Sequence, residues 1–388
     1  MKKINLIGLS VLAIATSAML FSCTKNESRV APAADEEVLD ITKADASVVV
    51  SLEMAGTAEP GTKAIATSIS DSDKHSLQVF IFDATSGKRE NSAYVASGSS
   101  ATLSSFKGSK RIWAIVNYPG QLMADTEAQL CALTSNLSQN SLSNFIMSGY
   151  KTVEIAGVNQ AVSVDVHRLA SRIRIDKFVK NTAENDLKDY TIILKEVYLK
   201  NVSGDARMDS SFDISNATTK RIDGNSYQPT IWYSKLNKAA VDAENANVKA
   251  LTYVGGLNVT AIEDDLIDAS TPNNVEQFLF MYPNNMTTDE TEDVADPFLP
   301  RKTRLVVHCT LQKGSAPAED SYYVFNVPSQ TDNTKYTIRN KTYIIPRITI
   351  SMKGKPNDND DTLTDPTFAT IDPAIVNWTG EESYNYTM

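Results

Sequence analysis

Histidine and cysteine are both scarce, at three residues each in 388. His75, His167 and His308 lie far apart, and no H-x-x-x-H, C-x-x-C, G-x-S-x-G or phosphate-cradling glycine loop occurs. Metal-dependent and nucleophilic chemistry need such groups clustered. The three histidines therefore read as structural or surface residues, and the chain as a non-enzyme with no catalytic residue, no metal ligand and no cofactor. A run of acids at Asp358–Asp361 resembles a calcium loop only loosely. It lacks the central glycine and the closing bidentate glutamate, and reads as solvated linker. Basic charge is also short, with 37 Lys and Arg against 47 Asp and Glu and a net charge of −10. No Lys/Arg cluster with interleaved aromatics appears, which excludes nucleic acid as a partner. Cys131 and Cys309 are too few and too distant to make a disulfide framework, and Cys309 alternates with Leu305, Val307 and Leu311 as a small core residue.

What is present begins at the first residues. Lys2 and Lys3 precede an apolar run, Ile4 to Leu20, closed by Leu20-Phe21-Ser22-Cys23. This is the layout of a lipoprotein signal, with residues 1–22 removed and Cys23 carrying a diacylglycerol. The run is too short to read as a membrane span. A polar tether follows to about Asp45, and then the first strand pattern, with Val48, Val50, Leu52 and Met54 on one parity. The loop after it, Ala55 to Asp73, holds Pro60, Gly61 and Lys63.

Strand patterns then recur at short spacing. Leu77–Phe82, broken only by Gln78, and Ile112–Val116 are near-continuous apolar runs, as strands covered on both faces are. Val162, Val164 and Val166 alternate, and the apolar parity flips near His167-Arg168, which predicts a break. Further strands are predicted at 192–199, 278–282, 305–311, 322–327 and 344–352. One helix is predicted over Thr126–Leu142, capped by Asp125 or Thr126. Polar residues from Val179 to Asp189 suggest a domain join, and residues 201–275 read as extended loops. After a polar stretch, Lys353 to Asp365, a late strand pattern spans Phe368 to Trp378, followed by Tyr384, Tyr386 and Met388 on one parity. Such a strand suits lending to a neighbour, or folding back as an edge strand of its own second domain. Pro373 must then sit at an edge, a bulge or a junction of two short strands. Many short strands with few helices predict β-sandwiches.

In order and spacing the chain resembles the Bacteroidales fimbrillins, the subunits of type V pili. The segments that carry the likeness are Leu77–Asp83, Ile115-Val-Asn-Tyr-Pro119, Phe145-Ile-Met-Ser-Gly149, Val166–Ile173, Phe278–Asn284 and Ile338–Tyr343. The resemblance implies a mainly β fold of two tandem transthyretin-like β-sandwich domains, with a few short helices and a C-terminal donor-strand extension. The domains fall at 23–63 (lipid-anchored tether and removable first strand), 64–180, 181–353 and 354–388 (linker and donor strand). It implies a structural subunit of a pilus stalk that supports adhesion, carried to the outer membrane by its lipid and then built into surface fimbriae. A trypsin-like protease would cut between Lys63 and Ala64, removing the strand of Val48, Val50, Leu52 and Met54. A neighbour's C-terminal strand would fill the gap, carried here by Phe368, Ile371, Ile375, Trp378, Tyr384 and Tyr386. The implied partners are copies of this chain or related subunits, the protease, and a host glycan or protein. A tip or anchor subunit, or a monomeric lipid-anchored module binding glycan or host protein, are the competing readings.

Overall fold

A computed structural model describes residues 40–54, 73–182, 187–209, 229–234, 241–266, 274–284, 302–327, 337–358, 363–371 and 373–378. The strands of the first half are β1 (Ala46–Met54), β2 (Leu77–Asp83), β3 (Arg89–Val95), β4 (Ser100–Ser105), β5 (Gly108–Val116), β6 (Thr134–Asn136), β7 (Met147–Ile155) and β8 (Gln160–Arg168). Their order is β3-β2-β5-β7-β8-β1-β4. β7 and β8 pair only at Met147–Arg168 and Ser148–His167, so the sheet turns a corner there into two facing layers. Gly149 permits the corner: a Cβ on it would collide with the backbone carbonyl of Asp165 on β8. Val48, Val50, Val162 and Val164 from one layer meet Val79, Ile81 and Ile112 from the other, all at 3% exposure or less. That core contains no aromatic residue. The opposite faces of β2 and β5 carry Phe80, Phe82, Trp113 and Ile115 into a second core, which explains their near-continuous apolar runs.

The second half comprises β9 (Ser171–Lys180), β10 (Tyr190–Lys200), the short β11 (Val202–Ser203), β12 (Asp205–Arg207), β13 (Trp232–Tyr233), β14 (Tyr253–Val254), β15 (Val259–Thr260) and β16 (Ile262–Glu263), then β17 (Asn274–Met281), β18 (Arg304–Lys313), β19 (Glu319–Asn326), β20 (Lys341–Ile345), β21 (Ile348–Ile350), β22 (Ala369–Ile371) and β23 (Ala374–Asn377). One layer runs β14-β10-β18-β19 and the other β22-β21-β9-β20-β23, with β17 also on β9. Ile173, Leu194, Val307 and Ile345 are buried in the core they contribute to, and Cys309 is a buried free thiol there, as Cys131 is nearer the first half.

Several expectations are corrected. The chain passes between sheets at Leu169-Ala170, where the parity flips, because β9 pairs with β17, β20 and β21. The join is therefore not at Val179–Asp189, and residues 171–180 belong with the second half rather than with 64–180. The helix is only α1 (Glu127–Ala132), with Thr126 and Gln129 forming a reciprocal cap. It stops because Thr134–Asn136 pairs with β12 and Asn136 caps a separate turn. Among the described residues of 201–275, a helix α2 (Ala246–Thr252) and short strands replace the expected loops, with Val248 and Leu251 fully buried. The described residues of the polar stretch after Met352 are not solvated linker. Lys355 exchanges two backbone hydrogen bonds with Tyr322, the Thr364 amide donates to Val324, and Asp358 is buried against Lys200 and the Tyr198 hydroxyl. This covers the outer edge of β19.

The two halves are joined through a buried arginine. Arg339 donates to the carbonyls of Ser148 (2.8 Å), His167 (2.6 Å), Arg168 (3.1 Å) and Met208 (3.3 Å). Burial draws its pKa down to about 9 against the pull of Asp209 and Tyr282, so it stays charged at neutral pH. Asn340, in the left-handed region at φ 56°, donates its amide to Ala170 and accepts from Trp378.

On the outer face of β18, His308 bridges three strands. Its Nδ1 is 2.9 Å from Glu196 on β10, its Nε2 is 2.9 Å from Asp320 on β19, and its ring stacks on Tyr322. Tyr253 donates to the far oxygen of Glu196. Burial opposes charging the ring, but the two carboxylates outweigh it and raise the pKa above 6.5. The clamp's stabilisation is complete below 6.5, the unfolded value, and is lost as pH rises through the higher folded value. Urea midpoints should accordingly fall with rising pH above 6.5 in the wild type, and this component of the fall should be missing in His308→Gln.

Candidate functional site

β1 lies inside its layer, antiparallel to β4 on one side and parallel to β8 on the other. Val50 stands opposite both Ala101 and Val162, and Leu52 opposite Val164. Val48 and Val50 are fully buried and Leu52 is at 9%, while Ser51 and Glu53 face outward. By register Met54 lies beside Val166. The alternating branched sequence dictates this: period-two apolar residues fit one covered face, and β-branched side chains suit the pleat. At the start of the strand, Asp45 accepts from the Lys107 amide at 3.0 Å, and the Ser47 hydroxyl accepts from the Asn159 amide at 2.7 Å.

Burial of Val48, Val50 and Leu52 contributes on the order of 5–9 kcal/mol before ordering costs. Removing β1 would strip the ladders of both β4 and β8 and open a slot into the aliphatic core. Such a slot, with unpaired backbone on both rims, is a template for another strand. Cys23, Lys63 and Ala64 lie outside the described residues. Lys63 falls in the stretch of sequence between the end of β1 at Met54 and the described chain resuming at Asp73.

The C-terminal segment folds back onto its own second half. β22 pairs with β21 and β23 with β20 of the same subunit, with Pro373 at their junction. Trp378 is fully buried, its ring 5.3 Å from Phe145 and 5.6 Å from Phe280. The guanidinium groups of Arg168 and Arg172 lie 4.5 and 5.0 Å from its centre. Ile371 is buried, Ile375 packs against the same core, and Phe368 is 40% exposed beside them. In this structure Ile371, Ile375 and Trp378 thus pack within their own subunit through sheet pairing and aromatic contacts, with Phe368 exposed beside them. Tyr384 and Tyr386 lie outside the described residues.

Sequence reading did not single out Arg168, Arg339, Asn340 or Gly149. The parity flip beside Arg168 marked the corner, and Arg339-Asn340 stood inside a segment quoted for the family likeness, but nothing in their spacing revealed the contacts. Among the described residues, no group of three or more His, Cys, Asp or Glu side chains is placed to hold a metal ion. No described helix is long and apolar enough to cross a membrane.

Two sandwich-like halves, with the first strand inside a layer of the first, define a β-rich fold. Solved structures narrow the fold. The chain is similar to a fimbrilin from Porphyromonas gingivalis W83, with a TM-score of 0.54 and 14% identity over 87% of this chain and 98% of that one. It is also similar to a candidate cell adhesion protein from Bacteroides eggerthii, with a TM-score of 0.55 and 17% identity over 86% and 96%. A third, a candidate cell adhesion protein from Parabacteroides distasonis, gives 0.56 and 15% over 87% and 97%. No protein-family model and no curated protein sequence matches. The chain has the fimbrillin fold.

Replacing Trp378 tests how firmly the C-terminal segment is built in. Trp378→Ala should lower unfolding free energy by about 3–5 kcal/mol in urea titrations. A loss below about 1 kcal/mol would mean the segment is only loosely docked.

Proposed function

We propose that this chain is a structural subunit of a cell-surface fimbria, exported as a lipoprotein and joined to neighbouring subunits by protease-triggered strand exchange. The observation that carries this reading is the placement of β1 within its layer, paired on both edges and burying Val48 and Val50 completely. The likeness to a fimbrilin and to candidate cell adhesion proteins supports it.

Lipid on Cys23 holds the precursor at the outer membrane. A trypsin-like protease cuts between Lys63 and Ala64 and releases both the anchor and β1 from the body of the subunit. Before the cut, the covalent link gives β1 a high effective concentration at its own slot and bars any competitor. After it, β1 is only one strand among others, and a strand from a neighbouring subunit takes the place. No chemical step is catalysed; the work is done by burial and backbone hydrogen bonds. A stalk position in the fibre suits a subunit with such a slot, and adhesion to a host glycan or protein belongs to the assembled fibre.

Fibres sheared from cells producing the chain test this. The chain in them should begin at Ala64 and stay joined to other subunits in detergent until boiled, and Lys63→Ala should leave it lipidated and absent from the fibres. Recovery solely as a lipidated monomer beginning at Cys23 would overturn the reading.

A further inference from the structure

Resting on the strand-exchange reading, we propose that the slot vacated by β1 is selective for a strand with small aliphatic residues at alternate positions, supplied by a related subunit and not by residues Thr379–Met388 of a second copy of this chain. The slot is defined by what β1 now fills. Val48 and Val50 are fully buried, and the core around them is aliphatic throughout: Ala101 and Leu103 on β4, Val162 and Val164 on β8, and Ile81 and Ile112 across the layer. Among the described residues, no aromatic ring contributes to this core. Close-packed interiors resist added volume, so a tyrosine in a valine position forces neighbours off their rotamers. A carboxylate there would be buried without a cation.

The tail sequence can be tried in every register. On the even parity it offers Gly380, Glu382, Tyr384, Tyr386 and Met388. Any register that fills the two valine positions with neighbouring members of this series places Glu382, Tyr384 or Tyr386 in at least one of them. This holds whether the strand runs parallel or antiparallel to β8. The odd parity offers Thr379, Glu381, Ser383, Asn385 and Thr387, which are polar throughout. The preceding residues are sterically better suited, but β22 and β23 are paired in their own subunit and Trp378 is locked in its core. Pro373 would moreover leave a gap in a ladder that is hydrogen-bonded on both sides. A valine- or leucine-bearing strand from a different subunit meets none of these obstacles.

Peptide exchange into the trypsin-cleaved protein tests the inference. A labelled peptide with the sequence Ala46–Met54 should enter the slot. The same peptide carrying V48Y and V50Y, and a peptide of the sequence Thr379–Met388, should each bind about 100-fold more weakly or worse. The Thr379–Met388 peptide carrying E382V, Y384V and Y386V should gain uptake. Equal uptake of the unaltered Thr379–Met388 peptide would overturn the selectivity while leaving strand exchange standing. Failure of the Ala46–Met54 peptide to enter would overturn both.

Discussion

A strand inside a sheet must satisfy its backbone on two edges at once, and β1 does so in a layer only three strands wide. β4 and β8 do not pair with each other, so β1 alone connects them. It also supplies two of the fully buried valines of the aliphatic core. Closure of the first half depends on a segment attached to the rest of the subunit through the sequence between Met54 and Asp73. With β1 in place this layer is complete, and without it β4 and β8 would have no partner between them.

The second half is arranged in the opposite way. Its late strands are fastened by several independent means: pairing of β22 and β23, aromatic contacts of Trp378 with Phe145 and Phe280, and the arginines over its ring. Arg339 ties the corner of the first half to this core through carbonyls on β7, on β8 and after β12. Charged hydrogen bonds inside a protein are strong and costly to break, so the corner stays fixed.

Period-two alternation made β1 and β8 legible from sequence, and the near-continuous apolar runs of β2 and β5 announced strands covered on both faces. The parity flip at His167-Arg168 marked the passage between sheets, although polarity at Val179–Asp189 pointed to the wrong join. Local polarity misled because β9 continues to Lys180 between β21 and β16. The helix was overlong in prediction because Leu133 and Leu137 continue a helical spacing, while pairing with β12 is a contact distant in sequence. The same limit applies at the C-terminus. Alternation showed that Phe368–Trp378 forms strands, but whether they pair with their own subunit is decided by Arg168, Arg172, Phe145 and Phe280, which no local pattern brings together.

The claim on which the account stands is that β1 must leave for another strand to enter. Ser51 and Ser163 are register partners on β1 and β8, with Ser51 exposed. In the doubly substituted Ser51→Cys, Ser163→Cys protein, a disulfide would lock β1 in place, leaving the buried Cys131 and Cys309 untouched. After cleavage at Lys63, the oxidised form should take up no added Ala46–Met54 peptide, and adding reductant should restore uptake. Equal uptake by the locked and reduced forms would contradict the account.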